Sequence, residues 1–500
     1  MAKTVELQIP INRVEGDLDI KVTIKDGVIV EAKSIGTLYR GFENILRGRD
    51  PLDALVITPR VCGICSISHL SAAVKALEDA YDITPPPQAV RFRNLSIICE
   101  NAQSDLKQFF LMFMADFAHE YYQDKSFFDI AKKSYAPFKG KMANSVLDIT
   151  KDLLKVIAYI GGQWPHTSHM VPGGLSVISD DLEIFRIRLL VKKFRIWYEE
   201  EVLKTTVKEF KNITDFEKFE EFCNSNKSSH ISLFYEIAKE TNLLNIGKTG
   251  YGFINYGSID KVEDDKVVTV VPKCVIENRE KKPLDIAKIT EDVTYSWYED
   301  DETTSMFKSK TIPNIDKKGG YSFTKAPRYD EKVFQTGPLG EELALENPLF
   351  KDLYEKFEDC VFVRELARLL RVLRYIEVLE SQTEEIIQNI KEPIYVKPEI
   401  KKEAKGVGLT HAARGALGHW IKIKDGKIKN YQIISPTTWN GSPMDKLKNY
   451  GPWEKALLGL EIKNIENPME MGHVIRSFDP CLVCTVHFIG DKNSKITLRA

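Results

Sequence analysis

Two Cys-x-x-Cys pairs near opposite ends of the chain constrain what it can fold into. The first, Cys62-Gly63-Ile64-Cys65, follows Arg60-Val61 and leads on to His69. The second, Cys481-Leu482-Val483-Cys484, follows Asp479-Pro480, leads on to His487 and begins 416 positions after Cys65. Thiols at i and i+3 on a helical turn point the same way, so two such pairs can converge on one soft metal centre. A structural zinc site usually places its second pair within about 20 residues, because it staples a small fold. A site that draws on both ends of a long chain is a poor staple. Spacing alone leaves zinc, an iron–sulfur cluster and a catalytic metal open.

Composition adds bounds rather than answers. A chain of 500 residues with 43% hydrophobic and 28% charged residues can bury a sizeable core, as a soluble globular protein does. A formal charge of −2 gives no reason to expect nucleic acid or an anionic membrane as partner. No apolar run approaches the roughly 18 residues that span a bilayer, and Met1-Ala2-Lys3-Thr4-Val5-Glu6 lacks the apolar core of a secretory signal. Eight cysteines are too sparse for a disulfide framework. Cys99, Cys223, Cys274 and Cys360 have no motif context and read as ordinary thiols.

Periodicity gives an α+β class, a large helical core with peripheral β-sheets. Residues 1–58 read as β-rich, with Leu18–Ile24 alternating at period two and a turn at Lys25-Asp26-Gly27. Residues 59–257 read as helical: Leu70, Val74, Leu77 and Tyr81 recur at three and four, and a long helix runs from about Ala89 towards Tyr121. Residues 258–349 read as a β-like surface excursion, 350–402 as helical again, and 403–500 as the C-terminal metal-site part. Within the last, 421–430 is a hairpin around Asp425-Gly426. No repeat or low-complexity linker divides the chain, and one domain over 1–500 is the simplest reading.

Asp479-Pro480 reads as an N-cap followed by proline at the first helical position, and Thr58-Pro59 has the same character. Cysteines in a first helical turn sit where the helix dipole favours thiolate, the form that binds metal.

Arg-x-Cys-Gly-x-Cys-x-x-x-His at Arg60–His69 with Asp-Pro-Cys-x-x-Cys-x-x-His at Asp479–His487 resembles the large subunit of nickel–iron hydrogenases. Further matches follow in order: Arg13-Val14-Glu15-Gly16, Arg40-Gly41-Phe42-Glu43, Tyr321–Tyr329 with Gly337-Pro338-Leu339, Arg414-Gly415 and Pro436-Thr437-Thr438-Trp439-Asn440. The resemblance implies that family's fold and the reversible oxidation of H2 to protons and electrons. It implies Cys62 and Cys481 as terminal nickel ligands, and Cys65 and Cys484 as bridges to an iron that carries CO and CN ligands. Glu15 would relay protons, since a carboxylate beside a thiolate has its pKa raised. Glu43, the Ile433 carbonyl and His487 would hold magnesium. Arg414 would overhang the open face of the metals. Thr437, on the turn opened by Pro436, would hydrogen-bond cyanide nitrogen; His69, Asp479 and Ser104 would lie around the ligands, with a weaker part for His166.

The chain also departs from the family pattern. His411 and Ala413 stand where glutamate and proline are usual before Arg414. Gln103, Ser104, Asp105 and Gln108 fall where His-Asp-His-x-x-His is common, so the aspartate near the arginine becomes Ser104 unless Asp105 substitutes.

With no further clustered cysteines, electrons need a separate iron–sulfur small subunit. Maturation proteins are implied too, with a C-terminal endopeptidase that would remove residues 488–500. Leu38–Phe42 and Cys99-Glu100-Asn101 suggest the branch of cytosolic uptake enzymes and hydrogen sensors, hence a cytoplasmic location, with membrane association only through partners. A hydrogen-sensing regulatory enzyme with the same site is the alternative function. The related quinone-site subunit of respiratory complex I is disfavoured by the cysteine pairs.

Overall fold

The computed structural model describes residues 4–177, 179–300 and 305–484, the last by its backbone. The chain opens as an antiparallel meander of β1 (Thr4–Pro10), β2 (Leu18–Lys25) and β3 (Val28–Gly36). Leu18, Ile20, Val22 and Ile24 are buried in alternation, as one face of a half-buried sheet requires. Asp26 and Gly27 make the β2–β3 turn with φ of 51° and 85°, the left-handed pair that a two-residue hairpin needs. The rest of the segment read as β-rich is helical: α1 (Phe42–Leu46) and α2 (Asp53–Ile57).

Beyond the first cysteine pair run α3 (Ser66–Tyr81), α4 (Pro87–Lys107), α5 (Lys141–Gly161) and α6 (Asp181–Trp197). With α7 (Val361–Gln388), α4, α5 and α6 pack against one another as the helical core. Helix α4 shows no clean apolar stripe because it is buried on all sides, burying Arg93, Asn94, Glu100 and Asp105 with its apolar residues. It stops short of the expected Tyr121. A π turn over Gln108–Phe113 and a 3-10 turn over Met114–Ala118 follow. Wider spacing there lets Phe109, Phe110 and Phe113 all be fully buried.

The region read as a surface excursion is anchored in the core. Strands β4 (Gly252–Glu263) and β5 (Lys266–Glu277) pair antiparallel, and β4 buries Ile254, Asn255 and Tyr256 completely. Asn94 of α4 donates to the Asp260 carbonyl at 2.7 Å and accepts from its N–H at 3.1 Å. Charge that suggested a surface gathers at the β4–β5 turn, Glu263-Asp264-Asp265-Lys266, where all four residues are exposed.

Three antiparallel strands, β6 (Ala404–Ala412), β7 (Gly415–Lys424) and β8 (Lys427–Ile434), lead into the short helix α8 (Pro436–Asn440). One buried apolar cluster runs from Ile11 to Leu482, and a smaller one gathers Trp420 and Trp439 with Ile254 and Tyr256 of β4. The class is therefore α+β, a helical core with sheets at its margins.

Strand β6 lies directly on α3, and glycine makes that possible. A Cβ added at Gly406 or Gly408 would stand 1.9 Å from the carbonyl oxygen of Ala76 or Ala72. Both obstacles are backbone and cannot rotate away. Gly408→Ala is expected to lift the strand and cost about 1–3 kcal/mol, the range for overpacked cores, seen as a lowered thermal midpoint. An unchanged midpoint would show that the strand shifts freely.

Candidate metal centre

The first cysteine motif is not one helical turn. A 3-10 turn, Thr58–Val61, ends at Cys62, which is extended (φ −148°, ψ 129°). Cys65 is the N-cap residue of α3. In the second motif Cys481 precedes a 3-10 turn over Leu482–Cys484, and Asp479 adopts φ of 54°. The expected Asp479 cap is corrected: its carboxylate pairs with Arg414 and Arg368 instead. Of the motif cysteines among the described residues, Cys65 alone sits at the positive end of an α-helix.

The strands and turns nevertheless bring three thiols together. The ligand atoms of Cys62, Cys65 and Cys481 all lie within 4.8 Å of one another, and all three residues are buried. The Cys62 and Cys481 sulfurs are 3.6 Å apart, well beyond a disulfide bond of about 2.05 Å. The Cys484 side chain and His487 lie outside the described residues, as does the tail 488–500.

Main-chain pairing joins the two chain ends. Glu15 and Cys481 form a parallel bridge: Glu15 N–H donates to the Pro480 carbonyl at 3.2 Å, and Leu482 N–H to the Glu15 carbonyl at 2.7 Å. Gly16, at φ of 81°, takes the turn that follows; a Cβ there would meet the Val483 nitrogen at 3.0 Å. Arg40 was quoted in its motif without a role, yet its guanidinium donates to the carbonyls of both Val61 and Val483. It stitches one cysteine segment to the other. Thr437 Oγ1 accepts from Cys481 N–H at 3.2 Å, held by α8, where Pro436 is the first residue and Ser435 and Thr438 form a capping box.

Helix α3 has no cap of its own at Cys65, and Glu100 supplies one from α4. Its carboxylate accepts from Ile67 N–H at 2.8 Å, Ser68 N–H at 2.9 Å and Trp164 Nε1–H at 3.1 Å. Burial pushes the Glu100 carboxyl up to about 7 in spite of these donors. Sequence offered no sign of this, since Glu100 lies 33 positions from the Ile67 N–H that it caps.

Glu15 is half-buried, and burial, then the Cys62 sulfur, raise its pKa; Arg414 acts in the opposite sense. Arg414 is 3% exposed. Burial opposes its charge, but Asp479 and the sulfurs of Cys481, Cys65 and Cys62 outweigh that and hold its pKa well above the usual value. Its Nη2 pairs with Asp479 Oδ1 at 3.1 Å and its Nε donates to the Asp479 carbonyl at 3.0 Å. Nη1 has no partner among the described residues.

His69 is buried and burial lowers its pKa to about 4, so it is neutral. Its Nδ1 lies 3.1 Å from His419 Nε2, and His419 Nδ1 lies 2.9 Å from the Tyr431 hydroxyl. His69 Nε2 has no hydrogen-bond partner among the described residues. His166 contacts the Pro59 carbonyl at 3.1 Å, just before the first pair. Ser104 is buried on α4, while Asp105 pairs with Arg371 and Arg368, not with Arg414.

Glu43 and Ile433 are adjacent, Ile433 N–H donating to Glu43 Oε1 at 2.9 Å. Gln432 Nε2 donates to the same oxygen at 2.7 Å. Lys325, 3.0 Å from Glu291, lies 3.9 Å from Glu43 Oε2.

Three buried thiols form a donor set that fits soft transition metals, and Arg414 Nη1 and His69 Nε2 have no hydrogen-bond partner among the described residues. The cysteine-rich cluster is a metal-binding site of the kind that a nickel–iron centre needs.

Comparison with known proteins agrees. A family model described as nickel-dependent hydrogenase matches residues 40–120 and 114–487. The chain is 32% identical to the periplasmic [NiFeSe] hydrogenase large subunit of Desulfomicrobium baculatum, over 96% of this chain and 94% of that one. It is 26% identical to the hydrogenase-2 large chain of Escherichia coli K12, over 98% of each. Among solved structures, the H2-activated [NiFeSe] hydrogenase of Dm. baculatum superposes with a TM-score of 0.84 at 29% identity, covering 97% of this chain and all of that one. The reduced Ni-Fe-Se hydrogenase of D. vulgaris Hildenborough gives 0.83, at the same identity and coverage.

These likenesses correct two expectations. The cytosolic uptake and sensor branch does not stand against similarity to periplasmic [NiFeSe] enzymes. The residues that suggested it include Tyr39, Cys99, Glu100 and Asn101, all buried, so their likeness reports packing. The cytoplasmic location falls with it, since neither the first residues nor the lack of a spanning segment fixes a compartment. No described helix is long and apolar enough to cross a membrane. The sequence reads cysteine at all four motif positions, so this chain would supply sulfur at each. With the family model covering most of its length, the chain belongs to the nickel-dependent hydrogenase family.

Proposed function

We propose that this chain is the catalytic large subunit of a hydrogenase, oxidising H2 to two protons and two electrons. The observation that carries it is the convergence of Cys62, Cys65 and Cys481, buried and within 4.8 Å of one another, with the buried Arg414 near enough for its charge to be stabilised by all three sulfurs. Cys62, Cys65, Cys481 and Cys484 would hold a nickel–iron pair. When bound, that pair supplies the soft Lewis-acid and redox chemistry that splits H2 heterolytically.

The chain's own residues manage the charge and the proton. Arg414 stays a cation and so acts by its field and its unpartnered N–H, not as a base. Glu15 is tied by its backbone to Cys481, and its raised pKa suits a carboxylate that takes a proton from a cysteine sulfur and passes it on. His69, neutral, keeps its Nε2 for the thiolates. Thr437 accepts from Cys481 N–H, which leaves its own hydroxyl proton for a ligand such as cyanide on iron.

Magnesium, held by Glu43, the Ile433 carbonyl and His487, completes the reading. The burial of Glu43 and Glu291 around Lys325 marks that pocket as built for charge. Among the described residues the other cysteines form no second metal-ligand group, which supports an iron–sulfur small subunit as the electron partner. Maturation proteins, with an endopeptidase acting after His487, belong to the same proposal.

Infrared spectra of the purified protein should show carbonyl and cyanide stretches; zinc with no such bands would defeat the assignment. Cys481→Ser should lose nickel and at least 100-fold in hydrogen uptake, because a hard oxygen replaces a soft donor. Full nickel occupancy with normal uptake would count against it. Glu15→Gln should keep both metals yet slow hydrogen–deuterium exchange by roughly 10²- to 10⁴-fold, the usual worth of a positioned acid–base group. Exchange at the normal rate would mean that protons leave by another route.

A further inference from the structure

Arg414 stands at the tip of a tight hairpin. Strands β6 and β7 pair in register up to Ala412 opposite Gly415, leaving Ala413 and Arg414 as the loop. Gly415 has φ of 121°, and a Cβ there would meet Thr336 Oγ1 at 2.4 Å, so the tip sits hard against its neighbours on that side. On the other side the hairpin is gripped by a buried arginine of α7. Arg371 Nη2 donates to the Ala413 carbonyl at 2.7 Å.

Arg371 is itself fixed from two directions. Asp105 of α4 takes its Nε at 3.1 Å and its Nη2 at 2.7 Å, and Glu341 Oε1 takes its Nη1 at 3.0 Å. The same Glu341 oxygen lies 2.6 Å from His411 Nδ1. Tyr256 N–H donates to His411 Nε2 at 3.0 Å. Nε2 is therefore the unprotonated nitrogen, and His411 donates to Glu341 through Nδ1 as a neutral ring. The frame touches the hairpin twice, at His411 and at Ala413, and every member is buried.

Two departures noted in the sequence, Asp105 on α4 and His411 before Arg414, thus meet in one network, joined by Arg371 and Glu341. Ala413 offers its carbonyl to that network.

The geometry points to Arg371 as a positioning residue for Arg414, with Asp105 and Glu341 orienting its planar fork and His411 locking Glu341. This rests on the hydrogenase reading, in which Arg414 faces the metals. Arg371 touches neither the thiols nor Arg414's side chain; it fixes the peptide from which that side chain springs. A displacement of about 1 Å at a catalytic group can cost on the order of 100-fold in rate, so the frame bears on turnover although it is remote from the chemistry.

The test is a double-mutant cycle on the nickel-loaded heteromeric enzyme, with turnover, KM for H2 and nickel content measured together. Arg414→Lys and Arg371→Met should each lower turnover by roughly 10- to 100-fold with nickel content and KM near wild type. The double variant should be no slower than Arg414→Lys, since a clamp on an absent guanidinium has nothing left to position. A crystal structure of Arg371→Met should show residues 412–415 displaced and the Arg414–Asp479 pair broken. Should Arg371→Met not assemble, Asp105→Asn takes its place in the cycle, with Arg371→Lys restoring part of the loss. Multiplicative losses in the double variant, or an unmoved hairpin, would overturn the positioning role alone. Normal turnover in Arg414→Lys would overturn the underlying reading of Arg414 and this proposal with it.

Discussion

Three sulfur donors share one buried pocket, and their crowding is the constraint that the rest of the site answers to. As metal-binding thiolates, two sulfurs 3.6 Å apart would repel by about 5 kcal/mol even at an effective dielectric constant of ~20. Arg414 lies over them with a charge that those same sulfurs stabilise. Arg40 holds the main chain beside them from the opposite motif. Asp479 then pairs with Arg414 and keeps its cation in place. Among the described residues, Arg414 Nη1 and His69 Nε2 keep no hydrogen-bond partner beside this network.

Much of this was legible in the sequence, and the limits follow physical lines. Local signals read well: Asp26-Gly27 and Asp425-Gly426 turn where expected, and the spacing of Leu70, Val74, Leu77 and Tyr81 falls on one helix. The convergence of Cys62, Cys65 and Cys481 was legible because soft donors in two short motifs have few other uses. The helix-dipole argument failed at Cys62, because proline opened a 3-10 turn that ended before the thiol. The start of the 258–349 excursion misled because the exposed, charged turn at Glu263–Lys266 masked the buried strand β4 that leads into it. Glu100 and Arg40 could not be read at all, since a cap or a clamp supplied across space leaves no local pattern.

Helix α7 shows the same limit in another form. Its periodicity announced a helix, but Arg364, Arg368 and Arg371, at i, i+4 and i+7, look in sequence like a solvated face. All three are buried and meet Asp359, Asp105, Asp479 and Glu341. Buried pairs of this kind are weak sources of net stability, because desolvation consumes most of the Coulombic gain. They are strict about geometry, however: a shift of one partner leaves an uncompensated charge. A row of them running from the helical core to the hairpin trades stability for register where register matters.

The parallel pairing of Glu15 with Cys481 also sets a timetable. The two partners lie 466 positions apart, so their contact closes a long loop, a slow step in folding. Among the described residues the segment around Cys481 is tied by the Glu15 main-chain bonds, by Arg40 on the Val483 carbonyl and by Asp479 on Arg414 and Arg368. Lifting it would leave two buried guanidiniums without their carboxylate, so the closure works as a latch, late to set and costly to undo.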